Sequence, residues 1–114
     1  MEINQLKPAE IIRDDCGFWI HPEFRDYLNK HHENQEWISQ EEWDELKRYF
    51  NIQIVNIYLE TSVSADDWEV IMDSCDLSKW DPIAPNGFFL IDINYTEDDA
   101  VATFAREVLE TEVA

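Results

Sequence analysis

Five side chains in the first third of the chain supply the donor types that a zinc-dependent hydrolase would use: Cys16, His21, Glu23, His31 and His32. Zinc takes thiolate, imidazole and carboxylate ligands, and preformed sites present them at short, regular spacings. None of these residues stands at C-x-x-C or H-x-x-x-H spacing. His31 and His32 are adjacent, so on a helix they diverge by about 100° and do not chelate together. His21, directly before a proline, is equally suited to closing the first turn of a helix that the proline begins. The expectation is a chain without metal or other cofactor. The alternative is a small metal-dependent or hydrolytic enzyme that uses Cys16, His21 and nearby carboxylates.

Carboxylates occur in pairs at Asp14-Asp15, Glu41-Glu42, Asp66-Asp67 and Asp98-Asp99. General acid–base work needs one carboxyl desolvated beside another that stays ionised. Glu41, Glu42, Asp66 and Asp67 fall in predicted first helical turns, where acids complement the helix dipole, so capping accounts for them. Asp92 lies within a predicted strand, on the face opposite Ile91 and Ile93, which reads as the solvent side of a sheet. No Ser-His-Asp or Cys-His-Asn set is identifiable, and there is no Gly-rich phosphate loop or basic patch. Lys47-Arg48 is an isolated pair on the exposed flank of a helix. These observations point away from catalysis and from direct contact with DNA or RNA.

Charge is the strongest signal. The chain has 26 acidic and 8 basic residues in 114, a net of -18. Such a surface repels nucleic acid and anionic lipid and attracts cationic partners. Residues 1–57 hold 12 acids and 6 bases, whereas residues 58–114 hold 14 acids and only 2 bases, Lys79 and Arg106. The acids of the second half are therefore the candidate partner-binding residues: Asp66, Asp67, Glu69, Asp73, Asp76, Glu97, Asp98 and Asp99. A domain of this length has a radius of gyration near about 13 Å, hence a diameter of roughly 34 Å. Duplex DNA of that length carries roughly 20 charges, of the same order as this chain. Mimicry of DNA is one reading of the acidity; solubility of an aromatic-rich protein is the other.

The elements that position these residues follow from periodicity and caps. Ser39 opens S-Q-E-E, a capping box with Glu42, and Ile38 and Trp43 take the staple positions. Trp43, Leu46 and Phe50 then form an apolar stripe. Ser64 opens S-A-D-D in the same way, with Val63 and Trp68 as the staple and Trp68, Ile71, Met72 and Cys75 as the buried face. Pro22 starts a third helix, to about His31, with Phe24, Tyr27, Leu28 and His31 on one side. A marginal helical turn is predicted over Pro8–Arg13. Strands are predicted near 51–59 and 87–95, the second after the turn sequence D-P-I-A-P-N-G. The tail is read as a third strand at 101–108, reached by a hairpin, with a C-terminal helix over 97–110 as the alternative. The fold class is α+β: a single acidic domain with about three helices on a small antiparallel sheet.

The composition is 45% hydrophobic and 13% aromatic, which argues against a disordered acidic tail. Five tryptophans are many for this length, and one or two are candidates for a partner surface. No run of about 18 apolar residues predicts a membrane span. The first residues lack a basic stretch followed by an apolar one, so a secretory signal is not expected and the expected location is the cytoplasm. There, Cys16 and Cys75 would be free thiols.

Two stretches resemble a known group. R-D-D-C-G-F-W-I-H-P-E-F at 13–24 and W-D-P-I-A-P-N-G-F-F-L-I-D-I-N-Y-T-E-D-D-A-V-A-T-F-A-R at 80–106 are similar to small accessory proteins of lambdoid phages and prophages of enteric bacteria. Gly17, Trp19, His21 and Pro22 match a G-Y-W-x-H-P pattern, with Phe18 in place of Tyr. Trp80, Pro82, Pro85, Gly87, Phe89, Thr96, Glu97, Asp98 and Arg106 match a second pattern toward the end. The resemblance covers about a third of the chain and brings no assigned activity. It implies a hairpin before the last strand, although the group's Asp-Gly-Pro turn is Asp98-Asp99-Ala100 here. The expected function is a non-enzymatic accessory protein that binds a protein partner through its acidic surface. Its finer form is a DNA mimic that inhibits a basic, nucleic-acid-binding host protein. A third reading is a structural or assembly protein, a homodimer joined through an exposed Trp and an edge strand.

Overall fold

The computed structural model describes residues 4–32, 38–74, 76–96 and 98–108. In chain order the elements are β1 (Trp19–Ile20), α1 (Pro22–His32), α2 (Gln40–Phe50), β2 (Ile52–Tyr58), α3 (Leu59–Ser62), α4 (Ala65–Ser74), β3 (Phe89–Tyr95) and β4 (Ala100–Glu107). The four strands form one antiparallel sheet in the order β1-β3-β4-β2. The protein is α+β, with helices on both faces of that sheet.

Alternation along the strands explains the two layers. Leu90, Ile93, Ala102 and Phe104 point to one face, where α3 and α4 contribute Leu59 and Ile71, and the loop that follows adds Leu77 and Trp80. Ile52, Ile91 and Ala105 point to the other, beneath Phe24 and Tyr27 of α1 and Leu46 and Phe50 of α2. β4 is central and covered on both faces, so Ala102, Phe104 and Ala105 are all buried. A strand buried on both sides loses its polar alternation, which is why this segment carries a helix-like apolar pattern. The helix over 97–110 is overturned: β4 pairs with β2 along its length and with β3 through the Tyr95–Ala100 hairpin. The turn closes without Gly or Pro, because the Thr96 N–H donates to the Asp99 carbonyl and the Asp99 N–H to Thr96 Oγ1.

The helix ends follow local chemistry. Ser39 and Glu42 form the full capping box of α2. Asn51 ends that helix in the left-handed region, φ 54°, and turns the chain into β2 with no intervening loop. The Ser64 hydroxyl accepts the Asp67 N–H at the start of α4. Trp68, Ile71 and Met72 of α4 pack inward as the stripe predicts; Cys75 lies outside the described residues. Residues 8–13 are not helical. In the segment before β1, Asn4 and Leu6 donate to the Tyr49 and Phe50 carbonyls, satisfying the C-terminus of α2.

Arg13 ties the ends of the fold together. Its guanidinium donates to three carbonyls, those of Gly17, Trp80 and Leu77, and the Leu77 N–H donates to the Cys16 carbonyl. Gly17 has φ +82°, and a Cβ there would strike the backbone of Leu77 and Ser78. This knot joins residues 13–17 to 77–80, so the start of the 80–106 stretch meets the 13–24 stretch in space.

Candidate functional site

α4 presents the densest unengaged acidity. Asp66, Glu69 and Asp73 recur at i, i+3 and i+7, a single stripe directed away from Trp68, Ile71 and Met72, and all three are exposed. Val70, 54% exposed, lies within the same outward surface. Asp67 is exposed on the flank of the first turn. None of the salt bridges among the described residues uses any of these four acids, nor Asp98.

The hairpin turn joins this surface through Asp99. Its Oδ1 accepts the Trp68 indole N–H at 2.9 Å and the Glu60 N–H at 3.2 Å. One carboxylate thus fastens the β3–β4 turn to α3 and α4, and leaves its neighbour Asp98 exposed. Asp76 is also engaged: its Oδ1 accepts the Ser78 N–H at 2.8 Å, and hydrogen bonding from Ser78 holds its carboxyl below the ordinary range. Glu97 lies outside the described residues. Of the eight predicted contact acids, Asp66, Asp67, Glu69, Asp73 and Asp98 are exposed and form no salt bridge among the described residues, whereas Asp76 and Asp99 are hydrogen-bonded within the fold. The structure also adds Glu60, exposed at the start of α3, where residues remote in sequence converge.

The residues considered for catalysis are dispersed or occupied. His21 is buried at the N-terminus of α1, where its Nδ1 accepts the Glu23 N–H and its Nε2 donates to the Lys7 carbonyl at 2.7 Å. Both ring nitrogens therefore serve the backbone. Asp14 caps its own loop by accepting the Cys16 and Phe18 N–H groups. Cys16 is exposed, the His31 ring packs at a tilt against Tyr27, and His32 contacts Glu42. Among the described residues no three metal-ligating side chains converge.

Asp92 departs from its expected place. A register shift between Leu90 and Asp92 inserts Ile91 as an extra residue, so Ile91 and Ile93 point to opposite core clusters. Asp92 instead lies opposite Thr103, on the α1/α2 side of the sheet. It is half-buried and accepts the Asn94 amide at 2.7 Å. Burial pushes its carboxyl up to about 6, outweighing the hydrogen bonds from Asn94 and the Ile93 backbone that act in the opposite direction. With Asn94, Phe18, Trp19 and Arg25 it lines a shallow cleft. Asp14 is the other carboxylate lining that cleft. The bulge has no Gly or Pro to announce it, so strict alternation put Asp92 in the wrong environment.

Each described tryptophan is at least partly covered: Trp80 is buried, and Trp19, Trp43 and Trp68 are half-buried. Three residues of the 13–24 and 80–106 stretches have structural roles: Gly17 permits a close backbone approach, His21 caps α1, and Trp80 fills the core. Comparisons with protein-family models, with curated proteins and with solved structures find no match. Among the described residues, no helix is long and apolar enough to cross a membrane.

Proposed function

We propose that this is a non-enzymatic accessory protein of a phage or prophage that binds a basic protein partner through the acidic surface of α4 and the β3–β4 turn. The observation that supports this reading is the division among the acids. Asp99 and Asp76 are consumed by the fold, whereas Asp66, Glu69, Asp73 and Asp98 are exposed and form no salt bridge among the described residues. Unpaired like charges on one surface are a cost to the isolated chain that a cationic partner offsets.

The finer form of the proposal is a DNA mimic acting on a nucleic-acid-binding protein in the host cytoplasm. The longest dimension of the protein is 46 Å, over which duplex DNA bears roughly 27 charges. A net of -18 spread over all faces is sparser than that, so mimicry would work through the α4 patch rather than through the whole outline.

The test is capture from host lysate on the immobilised full chain at low and high salt, with duplex DNA as competitor. A retained basic protein should be released by salt, displaced by DNA, and lost when Asp66, Glu69, Asp73 and Asp98 are all changed to Lys. Retention unaffected by that fourfold reversal overturns the assignment of the surface. Retention resistant to DNA overturns mimicry alone.

A further inference from the structure

We propose that the outer edge of β2 is a self-association surface, on which two copies join by antiparallel pairing of Ile52–Tyr58 about a two-fold axis at Val55. The result is one continuous eight-stranded sheet.

The sheet has two terminal strands of different character. β1 is two residues long, whereas β2 has seven, and among the described residues no strand pairs with its outer side. Exposed edges are ordinarily blunted by Lys, Pro, bulges or brevity. β2 reads I-Q-I-V-N-I-Y, with no charge and no proline, and pairs with β4 without a register shift. Ile54, Val55 and Ile57 are only half-buried, and Tyr58 is 42% exposed. In a chain whose residues are 30% charged, an uncharged edge of this length is the place where two such acidic molecules can approach.

The occupant follows from symmetry and charge. Residues paired across one sheet share a face, so an antiparallel pairing of β2 with itself must centre on a residue, and full overlap centres it on Val55. Ile54 then meets the partner's Asn56, Ile52 the partner's Tyr58, and Gln53 the partner's Ile57, with no like charges opposed. α2 runs beside this edge, where Asp44, Lys47 and Arg48 line a groove with Ile54, and Gln40, Trp43 and Lys47 line another with Ile54 and Asn56. Lys47 lies 3.4 Å from Asp44, whose carboxyl is held below its ordinary value by the Gln40 hydrogen bond and then by Lys47. A two-fold axis reverses the direction of the stripe, bringing Lys47 toward the partner's Asp44 and Asp44 toward the partner's Lys47. The Asp44/Lys47 pair is self-complementary about this axis, whereas a strand carrying a single sign of charge would satisfy only half of it. This dimer is independent of the α4 surface and would carry two copies of it.

The full chain at micromolar concentration should sediment as a dimer. Asn56→Lys, at an exposed position, should weaken dimerisation by about ten-fold or more while circular dichroism shows the fold retained. Lys47→Glu should weaken it through like-charge repulsion, and adding Asp44→Lys should restore it. With Cys16 and Cys75 changed to Ser, Val55→Cys should form a disulfide-linked dimer on mild oxidation, because residue 55 faces itself. Tyr58→Cys should not, since its two copies lie about 20 Å apart along the strands. A monomeric parent chain overturns the proposal. So does a dimer indifferent to Asn56→Lys, or cross-linking at position 58 as fast as at 55.

Discussion

The Arg13 knot and the outer stripe of α4 are both rich in charged groups, but the fold uses them in opposite ways. At the knot one guanidinium satisfies the Gly17, Leu77 and Trp80 carbonyls, and the surrounding backbone closes on a glycine that no other residue can replace. On α4, Asp66, Glu69 and Asp73 are exposed and enter no salt bridge among the described residues. Charge that is desolvated and hydrogen-bonded contributes to stability, while charge left in water contributes to the field that partners meet. The contrast separates residues that hold this protein together from those available for binding, without reference to any activity.

The sharpest way to break that contrast is at the knot. Gly17→Ala should cost about 4 kcal/mol or more and abolish a cooperative thermal transition, because it combines a left-handed φ with a backbone clash. A stably folded Gly17→Ala protein would show that the knot can open. Arg13→Ala should cost roughly 3 kcal/mol in urea unfolding, since three carbonyls lose a charge-assisted donor.

The neighbours Asp98 and Asp99 sharpen the comparison within one turn. Asp99→Ala should cost about 2 kcal/mol, because it strands the Trp68 indole and the Glu60 amide. Asp98→Ala should stay within about 0.5 kcal/mol. Equal effects at the two positions would remove the distinction between structural and free acids in this part of the molecule.

Asp92 gives a pH-dependent test. Its carboxyl is raised from 3.8 to about 6 by burial, so the native state holds the proton more tightly than the unfolded chain. Asp92 therefore makes stability fall as pH rises through that window. Asp92→Asn removes the charge and should stabilise the protein by roughly 1–2 kcal/mol at neutral pH, allowing for partial exposure, with little effect near pH 4. Melting curves at both pH values check this, and an equal shift at both would mean that the carboxyl is not desolvated. The smallest effect is expected on α4, where Asp66→Asn, Glu69→Gln and Asp73→Asn should each change stability by less than about 0.5 kcal/mol. Together they should still reduce the salt dependence of partner binding.

Much of the fold was legible because its signals are local. Ser39 with Glu42, Ser64 with the stripe from Trp68 to Met72, and Pro22 after His21 each carry a cap and a periodicity within one short window, so α1, α2 and α4 could be read directly. β2 and β3 announced themselves through runs of β-branched and aromatic residues. The tail was harder, because a central strand covered on both faces loses the alternation that marks a half-buried one, and only its two neighbours distinguish it from a helix. Residues 8–13 have the composition of a helical turn but are not helical, and both flanks are held by distant partners: the Lys7 carbonyl meets His21, and Arg13 reaches Leu77 and Trp80.

The sequence by itself determined the acidity, its excess in the second half and the apolar stripe of α4, because net charge and helical spacing need no tertiary information. Only the tertiary structure decided which acids are free. Whether a carboxylate meets an indole N–H, as Asp99 does, or is half-buried by an unmarked bulge, as Asp92 is, depends on contacts between residues tens of positions apart. The sheet order, which among the described residues leaves β2 unpaired on its outer side while β4 is enclosed, was fixed at the same level. Strand neighbours are chosen by which faces can be buried together, and a linear pattern shows that a strand has such faces without showing what covers them.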